Sequence, residues 1–144
     1  MDADFSHDPN DLPRLLAATQ EADFSLGSRW VSGGGTQGWP LKRQILSRCG
    51  SFYARTILGV DIRDLTGGFK CFKRGVLEGV GLTNMASMGY GFQIELTWRA
   101  LRAGYCGVEV PIIFQDRVAG HTKMSGGIFF EALGLVWKLR LGLL

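Results

Sequence analysis

Apolar residues along this chain recur with two spacings, one typical of helices and the other of strands. The longest helical pattern follows Pro40, where an apolar residue stands at every fourth position up to Ile57. Helices are predicted over residues 9–22, 40–58, 92–103 and 128–144, and strands over residues 23–29, 64–72 and 108–114. This alternation predicts a mixed α/β fold.

Two stretches that show neither period are predicted to be loops. The first is residues 33–38, in which four of the six positions are glycine. The second is residues 115–125, a polar stretch that carries Arg117, Lys123 and Ser125. This second stretch fits either a lid over phosphate groups or an ordinary surface loop, and the residues alone favour neither.

The last helical pattern, residues 128–144, is apolar on nearly every side. Its only charged residues are Glu131, Lys138 and Arg140. Such a helix is either buried against the domain or placed in a membrane interface with its basic end near the headgroups. No apolar run approaches the roughly 18 residues needed to span a bilayer, so the chain is not expected to cross one by itself.

The composition is that of an ordinary globular domain. The 144 residues are 46% hydrophobic, enough for one core, and 20% charged, which is too little for a disordered tail. Cys49, Cys71 and Cys106 have neither metal-binding nor redox spacing, and an odd number of cysteines argues against a disulfide framework. A reducing compartment is therefore expected.

Charge is distributed unevenly along the chain. Residues 1–28 hold six acids and one base, whereas residues 29–74 hold nine bases and two acids. An acidic start beside a basic middle suits a site for one metal ion and several phosphates. Nucleic acid is not expected as a partner, because the bases are not interleaved with aromatic residues as a stacking platform requires.

The acidic start contains the triplet Asp2-Ala3-Asp4. Carboxylates two positions apart on an extended segment point the same way, so Asp2 and Asp4 can reach one Mg²⁺ or Mn²⁺ ion. Such an ion keeps open positions for a diphosphate. The alternative is a solvated N-terminal turn, since the following Asp8-Pro9-Asn10 also suits a turn or a helix cap.

The long predicted helix offers a second candidate site. Arg43 and Ser47 lie one turn apart and on a different face from the apolar stripe, where they could bind an anion. Arg48 and Arg55 add positive charge to the same helix. The alternative for these arginines is a solvated helix surface, which is the usual place of such residues.

A series of short motifs spans nearly the whole chain. They are Asp2-Ala3-Asp4 with His7, Gly27-Ser28-Arg29-Trp30, Gly33-Gly34-Gly35, Trp39-Pro40, Arg43, Leu46-Ser47-Arg48, Tyr53-Ala54-Arg55, Arg63-Asp64, Thr66-Gly67-Gly68-Phe69, Gly89-Tyr90-Gly91-Phe92-Gln93-Ile94-Glu95, Glu109-Val110-Pro111-Ile112 and Gly120-His121-Thr122-Lys123-Met124-Ser125. Their order and spacing resemble those of the polyprenol monophosphomannose synthases, also called dolichol-phosphate mannosyltransferases. These are family 2 glycosyltransferases with a GT-A fold, a Rossmann-like arrangement with a mixed sheet and helices on both faces.

The resemblance implies roles for residues in the first half of the chain. Asp2 and Asp4 match the family's ligands for the metal ion and the donor diphosphate. Arg29, Arg43 and Ser47 match positions that handle the acceptor phosphate. These five residues would therefore assemble the two substrates around one metal ion.

The resemblance also implies a role for the polar stretch near the C-terminus. Arg117, Lys123 and Ser125 match the lid that closes over donor and acceptor. Asp4, Arg29 and Arg117 are accordingly the expected catalytic residues, and Lys123 and Ser125 are expected to bind substrate.

The implied reaction transfers mannose from GDP-mannose to a polyprenyl phosphate, with inversion at the anomeric carbon and with Mg²⁺ or Mn²⁺. The expected location is the cytoplasmic face of the plasma membrane, as a peripheral protein. Two alternatives stay open: a polyprenyl-phosphate glucosyltransferase of the same superfamily, and a non-catalytic remnant that binds anions or membranes.

The resemblance further implies that part of the enzyme is missing from this chain. In the family, a nucleotide-binding strand and helix precede the metal-binding aspartates. Residues 1–126 are therefore expected to be the C-terminal part of a GT-A domain, and residues 127–144 an amphipathic helix at its end. An N-terminal half or a membrane subunit encoded separately is the expected partner.

Overall fold

The structure is a computed structural model that describes residue 4 and residues 6–87, 89–116 and 126–144, except the side chains of residues 84 and 126–131. The elements in these ranges are α1 (Leu12–Ala18), β1 (Phe24–Ser28), β2 (Gly35–Gln37), α2 (Leu41–Leu58), β3 (Lys70–Phe72), α3 (Arg74–Val80), α4 (Gly89–Arg102), β4 (Gly107–Pro111), β5 (Ile113–Gln115) and α5 (Gly126–Arg140). The predicted mixed α/β fold is confirmed.

The strands form two small sheets. In the first, β1 lies between β3 and β4, pairing antiparallel with β3 and parallel with β4. In the second, β2 and β5 pair in parallel. All five residues of β1 are buried, as expected for a central strand that is covered on both faces. The residue that follows β1, Arg29, therefore emerges from the centre of the fold.

Apolar side chains pack on both faces of the first sheet. On one face, Phe24 and Leu26 of β1 join the core with residues of α2, α4 and α5. On the other, Leu15 of α1 packs with Phe69, Val110 of β4 and Ile112. Ser25 points to the α1 side, where its Oγ donates to the Leu15 carbonyl at 2.7 Å. Strand alternation thus places helices on both faces of the sheet, as predicted.

The long helix α2 matches its predicted bounds. It begins after Pro40 and ends at Leu58, and the following Gly59 has a φ of +68°, in the left-handed region. The Gly59 amide donates to the Arg55 carbonyl at 2.9 Å and so closes the last turn. Proline before the helix and glycine after it are the residues that helix ends favour, which explains why the bounds were readable from the sequence.

Two strand predictions were wrong in their extent. The strand predicted over residues 64–72 is limited to Lys70–Phe72. At its expected start, the amides of Arg63 and Asp64 donate to the Glu109 carboxylate at 2.8 and 3.0 Å instead of pairing with a strand. The strand predicted over residues 108–114 is interrupted at Ile112, because β4 and β5 on either side of it belong to different sheets.

Two further elements were not predicted. The glycine-rich loop contains the short strand β2, which forms because β5 offers it a hydrogen-bonding partner far away in the sequence. The helix α3 lies directly after β3 and buries only Val76. Its seven residues are too few to show a clear helical period in the sequence.

The C-terminal helix α5 packs against α2 and α4 along one side. Val136 and Leu139 are buried in the core, whereas the side chain of Trp137 is 51% exposed. Gly91 of α4 allows this approach, since a Cβ there would lie 2.8 Å from Leu135 Cδ2. In the described part of the chain, no helix has both the length and the apolar character needed to cross a membrane.

Replacing Gly107 with alanine is expected to destabilise the fold by about 2–3 kcal/mol. A Cβ at this position would lie 2.2 Å from Phe24 Cζ. Phe24 cannot yield, because it is fully buried and stacks on Phe72 with ring centroids 5.0 Å apart. Urea unfolding measures the cost, with Gly75→Ala as the control, since nothing lies within 4 Å of its added Cβ. Equal effects of the two changes would contradict the steric argument.

Candidate active site

A cavity of about 110 Å³ lies beyond the carboxyl end of β1 and is bordered by α2, α4 and α5. Arg29, Arg43 and Ser47, three of the predicted phosphate-binding residues, all line it. The rest of its wall is mainly apolar, with Leu46, Tyr53, Ala54, Ile94, Ile112, Phe114, Leu133 and Val136. The fold thus brings together residues far apart in sequence around a space with a cationic edge and an apolar wall.

Arg29 is held by the carboxylate of Asp64. Its Nε and Nη2 donate to Asp64 Oδ2 and Oδ1, both at 2.7 Å, and its backbone amide donates to Oδ2 at 2.9 Å. Nη2 also donates to Thr66 Oγ1 at 3.0 Å. Asp64 is fully buried and Arg29 is 8% exposed, so this is a desolvated, bidentate ion pair. Two of the three guanidinium nitrogens are therefore committed to the protein itself.

The Arg29 guanidinium is also surrounded by aromatic rings. Its Cζ lies 5.2, 5.4 and 5.5 Å from the ring centroids of Trp30, Trp39 and Phe114. All three distances are within the range of cation–π attraction. No described residue accepts a hydrogen bond from Nη1, so this nitrogen is the part of Arg29 that can donate to a ligand in the cavity.

Arg43 is bound less firmly than Arg29. Its Nη1 donates to Asp116 Oδ1 at 2.8 Å, and its Cζ lies 3.9 Å from the centroid of the Trp39 ring. The Arg43 and Asp116 side chains are 23% and 41% exposed. An ion pair this exposed contributes little to stability, so a phosphate can compete for the guanidinium at low cost.

Asp4 is the described member of the predicted metal pair. Its Oδ1 accepts a hydrogen bond from the Ser6 amide at 3.1 Å, which orients the carboxylate. Ser6 is fully buried, and its Oγ has no hydrogen-bond partner among the described residues. Mg²⁺ and Mn²⁺ take oxygen ligands, above all carboxylates, so the Asp4 carboxylate fits such an ion and the Ser6 hydroxyl is a further oxygen two positions away in the chain. In the described part of the chain, no three acidic, histidine or cysteine side chains cluster as a complete metal site.

Four predicted site residues lie outside the part that the structure describes. They are Asp2, Arg117, Lys123 and Ser125. Of the two predicted metal ligands, only Asp4 is therefore described. Of the polar stretch 115–125, only Gln115 and Asp116 are described, and none of the predicted lid residues is. The amide of Asp116 donates to the Gln37 carbonyl at 2.9 Å, which ties the start of that segment to β2.

Lys70 was not predicted as part of the site. Its ammonium donates to the Gln93 carbonyl at 2.7 Å, to Thr97 Oγ1 at 2.8 Å and to the Leu65 carbonyl at 3.4 Å. Burial lowers the pKa of Lys70 from 10.5 to about 7, Asp64 opposes this shift and Arg29 adds to it. Lys70 thus connects α4 to the segment that carries Asp64, the ion-pair partner of Arg29.

The lowered pKa of Lys70 should make the free energy of unfolding increase with pH, and replacing Lys70 with methionine is expected to abolish this increase. Between pH 7 and 10.5 the unfolded chain keeps a proton that the folded chain has lost, so the free energy of unfolding increases with pH. One such proton corresponds to at most about 1.4 kcal/mol per pH unit. Urea unfolding from pH 7 to 9.5 tests this, with Lys73→Met at an exposed position as the control. An unchanged slope in Lys70→Met would contradict the prediction.

Glu95 holds the segment before α4. Its carboxylate accepts from the amides of Ala86 and Ser87 at 3.2 and 2.9 Å and from Arg99 Nη2 at 2.7 Å. Burial alone would raise the pKa of Glu95, but the hydrogen bonds and the Arg99 charge outweigh burial and keep it below its usual value. Glu95 is therefore a fixed anion that anchors the cavity wall at α4.

Comparisons with known proteins place the chain in a family. The family model described as glycosyl transferase family 2 matches residues 1–81. Polyprenol monophosphomannose synthase of Mycolicibacterium smegmatis is 48% identical over 143 residues, which cover 97% of this chain and 54% of the relative. Undecaprenyl-phosphate mannosyltransferase of Micrococcus luteus is 47% identical over 133 residues, which cover 92% of this chain and 55% of the relative.

The chain spans about half the length of these two curated relatives. The mixed α/β architecture agrees with the GT-A fold that the family model implies. The motifs, the fold and the match over residues 1–81 lead to one conclusion: this chain belongs to glycosyl transferase family 2.

Proposed function

We propose that this chain is part of an enzyme that transfers mannose from GDP-mannose to a polyprenyl phosphate, with inversion. The observation that carries the proposal is the cavity in which Arg29, Arg43 and Ser47 meet an apolar wall. A polyprenyl phosphate has the same two parts, an anionic head and an apolar tail. The names of the two relatives, a polyprenol monophosphomannose synthase and an undecaprenyl-phosphate mannosyltransferase, support the same substrate class.

The proposed chemistry needs alignment more than proton transfer. An oxygen of the acceptor phosphate forms the bond to the anomeric carbon, while the bond from that carbon to the GDP oxygen breaks. A phosphate monoester is already anionic near neutral pH, so no general base has to deprotonate it. Arg29 Nη1 and Arg43 would bind this anion and reduce its repulsion by the donor's diphosphate.

We propose Mg²⁺ or Mn²⁺ as the cofactor, held by Asp2 and Asp4. The oriented Asp4 carboxylate supports this. The bound ion would neutralise charge on the departing diphosphate. Arg117, Lys123 and Ser125 remain the proposed lid residues, with Arg117 acting on the reacting groups and the other two binding substrate.

We further propose a peripheral location on the cytoplasmic face of the plasma membrane. Three apolar side chains on α2 are strongly exposed, namely Leu41 at 70%, Ile45 at 53% and Phe52 at 66%. This helix carries four basic residues and no acidic one. An apolar helix face flanked by bases suits the surface of an anionic membrane, where the acceptor lipid would be found.

A transfer assay tests the proposed function. Membranes or detergent extracts that contain the complete enzyme are supplied with polyprenyl phosphate and with either radiolabelled GDP-mannose or radiolabelled UDP-glucose. Labelled lipid is expected from GDP-mannose, and chelation of divalent cations is expected to abolish it. Labelling from UDP-glucose alone would establish the glucosyltransferase alternative. Labelling from neither donor would favour the non-catalytic alternative.

A further inference from the structure

A second groove, of about 380 Å³, lies on a different side of α2 from the cavity. It is lined by Trp30, Arg48, Cys49, Phe52, Arg55 and Arg63. Along α2, the groove residue Arg48 stands five positions after the cavity residue Arg43, and Phe52 stands five positions after Ser47. At 3.6 residues per turn this separates the two sets by about 140° around the helix axis. The groove is thus a different surface from the candidate active site.

The groove concentrates positive charge that the described protein does not neutralise. Arg48 and Arg63 form no ion pair with any described residue, and Arg48 Cζ lies 5.3 Å from the Trp30 ring centroid. Arg55 reaches Asp61 at 3.3 Å, but the Asp61 side chain is 95% exposed, so that pair is weak. The groove has three guanidinium groups against two carboxylates, the solvated Asp61 and the Glu109 that accepts from the Arg63 amide, so it keeps a net positive charge and attracts anions.

The chemistry around the guanidinium groups narrows the class of anion. Phe52 lines the groove and is 66% exposed, and about two turns before it Ile45 is 53% exposed on the same side of the helix. An occupant therefore meets apolar surface beside its anionic group. These features fit an amphiphile better than a small soluble anion.

We propose that this groove binds the phosphate headgroup of an anionic phospholipid, with the acyl chains along the exposed apolar side of α2. Arginine forks bind phosphate oxygens in a bidentate manner, which lysine cannot reproduce. The groove would hold a membrane lipid that is not a substrate, beside the cavity proposed for the acceptor. It would set the orientation of α2 on the membrane, and so the direction in which the cavity opens.

Vesicle flotation of the complete protein tests the proposal without requiring catalysis. Vesicles of phosphatidylcholine alone are compared with vesicles that contain phosphatidylglycerol. The double change Arg48→Lys and Arg63→Lys keeps both positive charges but removes the planar guanidinium groups. It is expected to lower the phosphatidylglycerol-dependent partition coefficient by at least about fivefold. Arg48→Gln with Arg63→Gln is expected to weaken it by at least about tenfold.

Control variants distinguish specific binding in the groove from non-specific electrostatic attraction to the membrane. Lys73→Gln with Arg74→Gln removes two exposed bases outside the groove and is expected to change the partition coefficient less than twofold. Arg63 is exposed and only its backbone amide donates a described hydrogen bond, so Arg63→Lys alone is expected to fold and to weaken phosphatidylglycerol-dependent binding. Wild-type binding by the lysine double variant would overturn the proposal, as would full displacement of the protein by inorganic phosphate at matched ionic strength. Failure of the transfer assay alone would leave these results unaffected.

Discussion

Replacing Asp64 with asparagine is expected to destabilise the protein by about 3–5 kcal/mol, because it leaves the buried Arg29 guanidinium without its counter-charge. Asp64 is fully buried and accepts three hydrogen bonds from Arg29. The amide can replace one acceptor oxygen but not the negative charge. Lys70, whose ammonium is stabilised by the same carboxylate, would lose that support as well.

Urea unfolding at pH 7 measures this cost. Asp61→Asn is the matched control, since Asp61 also pairs with an arginine but is 95% exposed. We expect the control to change the free energy of unfolding by less than about 0.5 kcal/mol. If the two asparagine variants unfold at the same urea concentration, the buried pair does not support the site in the way described.

Replacing Arg43 with glutamine is expected to lower kcat/KM for the acceptor lipid by about 10- to 100-fold, the range of a lost charge-assisted hydrogen bond. Arg43 lines the cavity and its ion pair with Asp116 is partly solvated, so its guanidinium is available to an incoming phosphate. Arg43→Lys is expected to recover part of the loss, because the charge returns without the planar fork.

Two controls show whether the loss comes from the ligand or from the ion pair. Asp116→Asn removes the negative charge of the same pair but keeps Arg43, and we expect it to retain most of the activity. Arg74→Gln removes an exposed arginine that pairs with Glu78 on α3, outside the cavity. Loss of activity in Asp116→Asn equal to that in Arg43→Gln would mean that the ion pair matters and that Arg43 does not bind the acceptor.

Local sequence patterns were informative wherever neighbours along the chain decide the structure. The apolar stripe and the residues at both ends predicted α2 with its correct bounds. The same period predicted that Arg43 and Ser47 share a face, and both line the cavity. Helical neighbours are three or four positions apart, so no knowledge of the rest of the fold is needed to place them together.

The partners of the candidate site could not be predicted in this way. Asp64 stands 35 positions from Arg29, and Lys70 reaches carbonyl and hydroxyl oxygens 23 and 27 positions away. The motif Arg63-Asp64 is one of those that resemble the family, but it does not indicate which residue Asp64 contacts. The pairing of β1 with β3, in which Leu26 is opposite Lys70, brings Lys70 close to the strand that leads into Arg29.

The sequence by itself determined the fold class, the long helix and the acidic and arginine motifs that identify the family, because these depend on short-range periodicity and local residue types. The tertiary structure alone decided that Arg29 is bound by Asp64, that glycine-rich residues form β2 and that α2 presents two separate basic surfaces. Those features arise from contacts between distant segments, whose free energy depends on burial and geometry that a linear pattern does not contain.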